Sequence, residues 1–250
     1  MPVYAQLLLE EGKKVHSVKP GETIVDSLNA HNTAGEEISI KAYWEDFVYI
    51  PPFDGQKKFF PYGTTEVSAG KWLSFSPQEF TIPPFSKRKI SYTIKIPMDA
   101  KGGYYGVLFF EKNDPGQLDR TGVQVVTRVG CLFFIETQDK EKKARVEDIT
   151  ISDNNIQGNF LNAGNVIAIP EGIHYTLDAE GIVVSRGKLE KMYIPPGQRA
   201  SFSIPVESDL SPAQYTTILT FDLGEGDSIV KEVDFLKESS VAIKLLELRD

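Results

Sequence analysis

Ile82-Pro83-Pro84-Phe85-Ser86-Lys87-Arg88-Lys89-Ile90-Ser91-Tyr92-Thr93-Ile94-Lys95-Ile96 sets the reading of the whole chain. Its second half, Lys89–Ile96, is rich in Ile, Tyr and Thr and reads as a β-strand. The paired prolines suit a strand start or edge, because proline has no amide to give to a ladder and so blunts edge-to-edge association. A short turn then leads to the aromatic strand Tyr104–Phe110. The same order returns at Ile194-Pro195-Pro196, ahead of Arg199–Val206, a turn and Tyr215–Leu223; the two Ile-Pro-Pro landmarks lie 112 residues apart. Asn32-Thr33-Ala34-Gly35 and Asn162-Ala163-Gly164 each end an apolar strand, at an offset of 130. The offsets differ by 18, and Tyr49–Glu66, rich in proline, glycine and aromatics, is a stretch of that size. Two copies of one β-fold, the first carrying an insertion, account for all of this.

Working outward, Thr23–Ala30, Ile38–Tyr43, Val123–Glu136, Ile156–Leu161, Ile173–Leu177 and Ile229–Phe235 also read as strands, separated by Gly, Pro, Asn and Asp clusters. Helical periodicity is confined to Ser240–Arg249, where Val241, Leu245 and Leu248 fit a helix but Val241, Ile243 and Leu245 fit a strand equally well. Gln138–Ala144 is polar and charged and reads as a linker. The expected architecture is all-β: two tandem immunoglobulin-like β-sandwiches. The first spans 6–137 with the aromatic insertion 49–66, the linker spans 138–144, and the second sandwich spans 145–237 with a tail at 238–250. Residues 1–5, with Val3-Tyr4-Ala5 ahead of Gln6, read either as the remnant of a signal peptide or as a frayed terminus.

Composition narrows the function. The net charge of −8 disfavours a nucleic-acid partner, which needs a basic field. The acidity sits in the second half: 1–140 balance at −1, and the remainder carries −7. No run approaches the roughly 18 to 20 apolar residues of a membrane span. One cysteine, Cys131, rules out an intramolecular disulfide, and its place in Val129-Gly130-Cys131-Leu132-Phe133-Phe134-Ile135 reads as a buried strand position.

No catalytic residue emerges. His16, His31 and His174 are far apart in sequence, and no nucleophile elbow, phosphate loop, HExxH or paired CxxC is present. No cofactor or metal is expected. Asp222-Leu223-Gly224-Glu225-Gly226-Asp227 has the composition of a calcium loop without its spacing, and a polar hairpin turn is the simpler reading. Two stretches are candidate partner-binding sites. The insertion offers Tyr49, Phe53, Phe59, Phe60 and Tyr62 among prolines and glycines, with Lys57 and Lys58 alongside. Rigid aromatics on a loop suit a protein or glycan surface, although they equally suit a lid folded back over the sandwich. The second candidate is the long strand Gly122–Glu136, whose early alternating residues Val123 and Val125 could be lent to a partner strand. Its far half could instead pack inside the protein.

The order of Lys19-Pro20-Gly21-Glu22-Thr23, Trp72-Leu73-Ser74-Phe75-Ser76-Pro77, Phe80-Thr81-Ile82-Pro83-Pro84, Gly102–Glu111 and Thr127-Arg128-Val129 resembles the N-terminal domain of the WxL-interacting cell-surface proteins and, more distantly, the periplasmic pilus chaperones. The resemblance covers about residues 6–136. It implies a non-catalytic, extracytoplasmic protein, in the periplasm or at the cell surface. Its partner would be a cell-envelope or surface protein, such as a pilus or surface-layer subunit, or a cell-wall glycan. In the chaperones the long strand completes an immature subunit, a role that would fall to Val123 and Val125 here. The basic anchor of that strand falls near Gly130, and the first strand, Leu7-Leu8-Leu9, supplies no arginine; both depart from the chaperone pattern.

Overall fold

Alternating burial along each strand, period two, builds the structure. In the strand Lys87–Lys95 the side chains of Ile90, Tyr92 and Ile94 are buried and their neighbours face out; in Arg199–Pro205, Ala200, Phe202 and Ile204 do the same. A computed structural model describes residues 7–113, 127–225, 227–239 and 242–250. The chain divides into two compact units, one formed by Met1–Val48 with Lys58–Lys140, the other by Glu141–Asp250 together with Tyr49–Lys57.

The strands of unit 1 are β1 (Leu7–Leu9), β2 (Lys13–Val18), β3 (Thr23–Asn32), β4 (Ile38–Tyr49), β5 (Lys57–Pro61), β6 (Leu73–Ser76), β7 (Glu79–Ile82), β8 (Lys87–Lys95), β9 (Gly103–Lys112) and β10 (Arg128–Thr137). They form one sheet ordered β1-β3-β8-β6 and a second ordered β2-β10-β9-β4-β5, with β7 also paired to β4. Between the sheets, Phe133 packs against Trp44 (ring centroids 5.3 Å apart) and edge-on against Tyr92 (5.1 Å). Each fully buried ring of this kind contributes about 2–3 kcal/mol. Gly106 is the residue that lets Trp44 lie against β9, since a Cβ there would fall 2.0 Å from the indole. Strand β9 is buried on both faces, which explains the unbroken apolar run Tyr104–Phe110. Its inner side holds Leu108 and Phe110, and its outer side carries Tyr105, Val107 and Phe109.

Unit 2 contains β11 (Ala144–Ser152), β12 (Asn155–Asn162), β13 (Glu171–Leu177), β14 (Val183–Lys188), β15 (Arg199–Pro205), β16 (Ala213–Gly224), β17 (Asp227–Lys237) and β18 (Ile243–Arg249). A three-stranded sheet ordered β11-β12-β15 faces a five-stranded one ordered β14-β13-β16-β17-β18. Phe221 joins the layers, with Phe160 and Phe202 at 5.3 and 5.2 Å. Ile243–Arg249, for which the sequence allowed helix or strand, is the edge strand against β17. No helix among the described residues is long and apolar enough to cross a membrane.

Candidate functional site

The first strand of unit 1 is split between the two sheets. Leu7–Leu9 pairs antiparallel with β3; after Glu10-Glu11-Gly12 the chain crosses over, and β2 runs parallel to β10 from Lys13↔Leu132 to Val18↔Thr137. The Leu132 amide donates to the Gly12 carbonyl at 3.0 Å, the first bond of that pairing. Ahead of Leu132, β10 pairs with β9 through Arg128, Val129, Gly130 and Cys131, and no described strand pairs with its other edge. Backbone groups alternate along a strand, so Arg128 and Gly130 present their amides and carbonyls on the same open side as Leu132. Beneath this edge the side chains are apolar: Cys131, Phe133 and Ile135 are fully buried, and Val129 packs against the same core. Burial pushes the Cys131 thiol up to about 12, so it stays a neutral packing group.

The outer side of this strand explains the missing anchor at Gly130. A Cβ at that position would fall 2.7 Å from Val107 and 2.9 Å from the Phe109 ring, leaving no room for a long basic side chain. The cation sits two residues earlier. The Arg128 guanidinium lies 4.0 Å from the Phe109 ring centroid and donates to Tyr43 Oη at 3.3 Å and to Glu45 at 3.3 Å. Tyr43 in turn donates to Glu111 Oε2 at 2.7 Å. Arg128 is thereby held flat on the sheet, its charge neutralised by Glu45.

The sequence-predicted site residues scatter. Val123 and Val125, like residues 1–5, lie outside the described residues. Tyr49 and Phe53 are each 4% exposed; within unit 2, Tyr49 stacks on Tyr193 at 4.9 Å, and the Phe53 carbonyl accepts the Tyr193 amide at 2.8 Å. Phe59 is half-buried and meets Phe109 edge-on at 5.1 Å. Phe60 is also half-buried, with the Lys58 ammonium over its ring. Tyr62 alone is largely exposed, at 52%. It borders a shallow groove with Trp44, Leu73 and Phe75, rimmed by Lys41, Ser74 and Gln78.

A residue that sequence reasoning passed over fixes the end of the insertion. Asp46 is fully buried. Its oxygens accept Trp44 Nε1 (3.2 Å), the Thr64 and Thr65 amides (2.9 and 3.0 Å), Thr65 Oγ1 (3.3 Å) and Ser68 Oγ (2.6 Å). The only sequence signal was its place at an inward position of an alternating strand. At the suspected calcium loop, Asp222 Oδ1 instead accepts the Gly224 amide at 2.7 Å, with Gly224 at φ +75°. Among the described residues no three acidic, histidine or cysteine groups are gathered to hold a metal ion.

These sheets define the class: two immunoglobulin-like β-sandwiches, a fold shared with solved fimbrial chaperones. Among solved structures, the chain is similar to the class 5 fimbriae chaperone CfaA, with 17% identity, 90% of this chain and 97% of that one covered, and a TM-score of 0.55. It is also similar to a chain of a chaperone–tip adhesin complex of CFA/I fimbriae biogenesis (17% identity, 96% and 98% covered, TM-score 0.54) and to the YadV chaperone (9%, 92% and 100%, TM-score 0.51). At such identities the likeness is one of fold. No protein-family model and no curated protein matches the chain, so the likeness to the WxL-interacting proteins stands on the residues quoted for it alone.

Proposed function

We propose that this protein is a non-catalytic, extracytoplasmic assembly factor that holds another protein of the cell envelope by adding that partner's strand to the open edge of β10. The observation that carries this reading is the β10 edge at Arg128–Cys131, with which no described strand pairs, backed by the apolar floor of the sandwich. Main-chain bonds along such an edge supply affinity, and alternate side chains supply selectivity. Elsewhere proteins cover or blunt their open edges, and here β2 stops short of doing so. The fold shared with fimbrial chaperones supports the same role, with a pilus, adhesin or surface-layer subunit as the partner. Val123 and Val125, immediately upstream on the chain, are the residues we assign to the lent strand.

A photo-cross-linking residue placed at Val125 and, separately, at Arg128 should trap one and the same envelope protein in living cells. The double substitution of Val123 and Val125 by Asp should abolish that product while leaving the melting temperature unchanged, because the charges enter only the strand-pairing interface. Cross-links that persist in the double variant, or none at either position, would remove the edge from the site.

A second reading rests on the groove beside Tyr62. An exposed tyrosine face flanked by Trp44, Phe75 and the polar rim of Lys41, Ser74 and Gln78 suits a cell-wall sugar. Titration with soluble wall fragments should then shift the Tyr62 resonances, and Tyr62→Ala should end binding without lowering stability.

A further inference from the structure

His174 is 7% exposed in the core of unit 2, and its Nδ1 has no hydrogen-bond partner among the described residues. It sits on β13 opposite Leu219 of β16 on one side and Gly187 of β14 on the other. The ring packs directly on Gly187 and fills the space a side chain there would need: a Cβ would stand 2.5 Å from His174 Nε2. Strand β14 is six residues long, has β13 as its one partner, and joins it through an irregular register at Thr176/Leu177.

The charged groups around the imidazole are few. Arg186 and Lys188 of β14 alternate with Ser185 and Gly187 and face away from the ring. From β16 come Thr217 and Leu219; the Thr217 hydroxyl is paired with Thr176 at 2.9 Å. Among the described residues, Glu207, after β15, is the anionic group that acts on the ring. Its Oε1 accepts the Ser185 hydroxyl at 3.3 Å, and its carbonyl accepts the buried Lys237 ammonium of β17. A neutral imidazole tolerates this setting. An imidazolium does not, because it carries two N–H donors, one of them at the buried Nδ1, which has no acceptor among the described residues.

We propose that His174 makes β14 an acid-released edge strand: protonation of the ring detaches β14 from β13 and uncovers the edge of the five-stranded sheet. Lifting the short edge strand is the smallest opening that hydrates the ring, and such local openings lie well below global unfolding in free energy. The direction follows from linkage. Burial holds the imidazole below the ordinary histidine value, with Glu207 opposing in part. The closed state therefore binds fewer protons than the open one as pH falls below about 6.5. Closure is complete above that value and is lost progressively below it.

Hydrogen exchange on the full chain tests this. Between pH 7.5 and 5.5, after correction for intrinsic rates, amides of Val183–Lys188 should exchange severalfold faster, up to the roughly tenfold limit for one proton taken up near pH 6.5, while those of β16 and β17 keep their protection. In His174→Gln the pH effect should vanish. Unselective acceleration, unchanged β14 protection, or the same acceleration in His174→Gln would each overturn the proposal. Should that variant fail to fold, the wild-type imidazole titrated by NMR decides: its midpoint must coincide with that of β14 exchange, and a midpoint that does not coincide sinks the latch.

Discussion

Asn32 and Asn162, 130 residues apart, share three corresponding hydrogen bonds in their respective units. Asn32 Nδ2 donates to the carbonyls of Glu36, Ile82 and Pro83 at 2.7, 3.0 and 3.0 Å, and Oδ1 accepts the Ala34 amide at 2.9 Å. Asn162 Nδ2 donates to Val166 and Ile194 at 2.8 Å each, and Oδ1 accepts the Gly164 amide at 2.9 Å. Each amide thus ties the loop after the second sandwich strand to the Ile-Pro-Pro segment. Either asparagine changed to Ala leaves buried carbonyls without donors, about 1–3 kcal/mol apiece. Denaturant melts should show a loss of about 2 kcal/mol or more, confined to the unit that carries the substitution. Asp in place of Asn should be worse, since it sets an acceptor against carbonyls.

The same repeat supplies an internal comparison at Phe85. Shifted by the 112-residue offset it corresponds to Gly197, and both occupy left-handed backbone, at φ 52° and 74°. Glycine adopts this conformation freely; a bulky side chain pays for it in steric strain. Phe85 is also 76% exposed and so regains little by packing. Phe85→Gly should raise the stability of unit 1 by roughly 1 kcal/mol, net of glycine's greater chain entropy. A lowered midpoint in chemical denaturation would show that the ring makes contacts that outweigh the strain.

Asp46 should be the most sensitive carboxylate in unit 1. Asp46→Ala removes the acceptor of the Trp44 indole in a buried contact and of the Thr64 and Thr65 amides and the Ser68 hydroxyl in part-buried ones. Each donor left unsatisfied costs about 1–3 kcal/mol where water cannot reach it, so a loss of about 2–4 kcal/mol is expected. Calorimetry on the variant should show the first unit melting well before the second, with Tyr62 released from its place beside Gly70.

Unit 1 also has an acid-sensitive histidine. His16 Nε2 lies 3.1 Å from Tyr92 Oη, which donates its proton to Asp26 Oδ2 at 2.7 Å; the imidazole must therefore supply the proton of the first contact. Burial lowers the His16 pKa, with Asp26 opposing and Lys14 assisting. A histidine lowered on folding stabilises the protein above its unfolded value, near 6.5, and that contribution fades as pH falls through the folded value. Thermal melts from pH 7.5 to 5.5 should show unit 1 weakening, and His16→Gln should flatten the slope for that unit while leaving unit 2 unaltered.

Much of the fold is legible along the chain. Ile90, Tyr92 and Ile94 alternate with polar neighbours and so declare a strand and its buried face, and the spacing of Asn32, Ile82, Asn162 and Ile194 declares a duplication. Less of the candidate site can be read this way. Alternation says which face of a strand is buried, but it is blind to what covers that face. Tyr49 and Phe59, grouped by sequence with Tyr62, end up stacked on Tyr193 and Phe109 while Tyr62 remains in solvent.

The sequence by itself determined that this is a duplicated all-β protein, because strand propensity, period-two burial and proline placement are local properties carried by neighbouring residues. The tertiary structure alone decided that the first strand changes sheets at Gly12, that no described strand pairs with the open edge of β10 at Arg128–Cys131, that Phe109 fills the space a side chain at Gly130 would need, and that Asp46 is buried. Each of these depends on which distant strand comes to lie alongside another. Pairing between strands far apart in sequence is set by the packing of the whole core, which neighbouring residues alone do not specify.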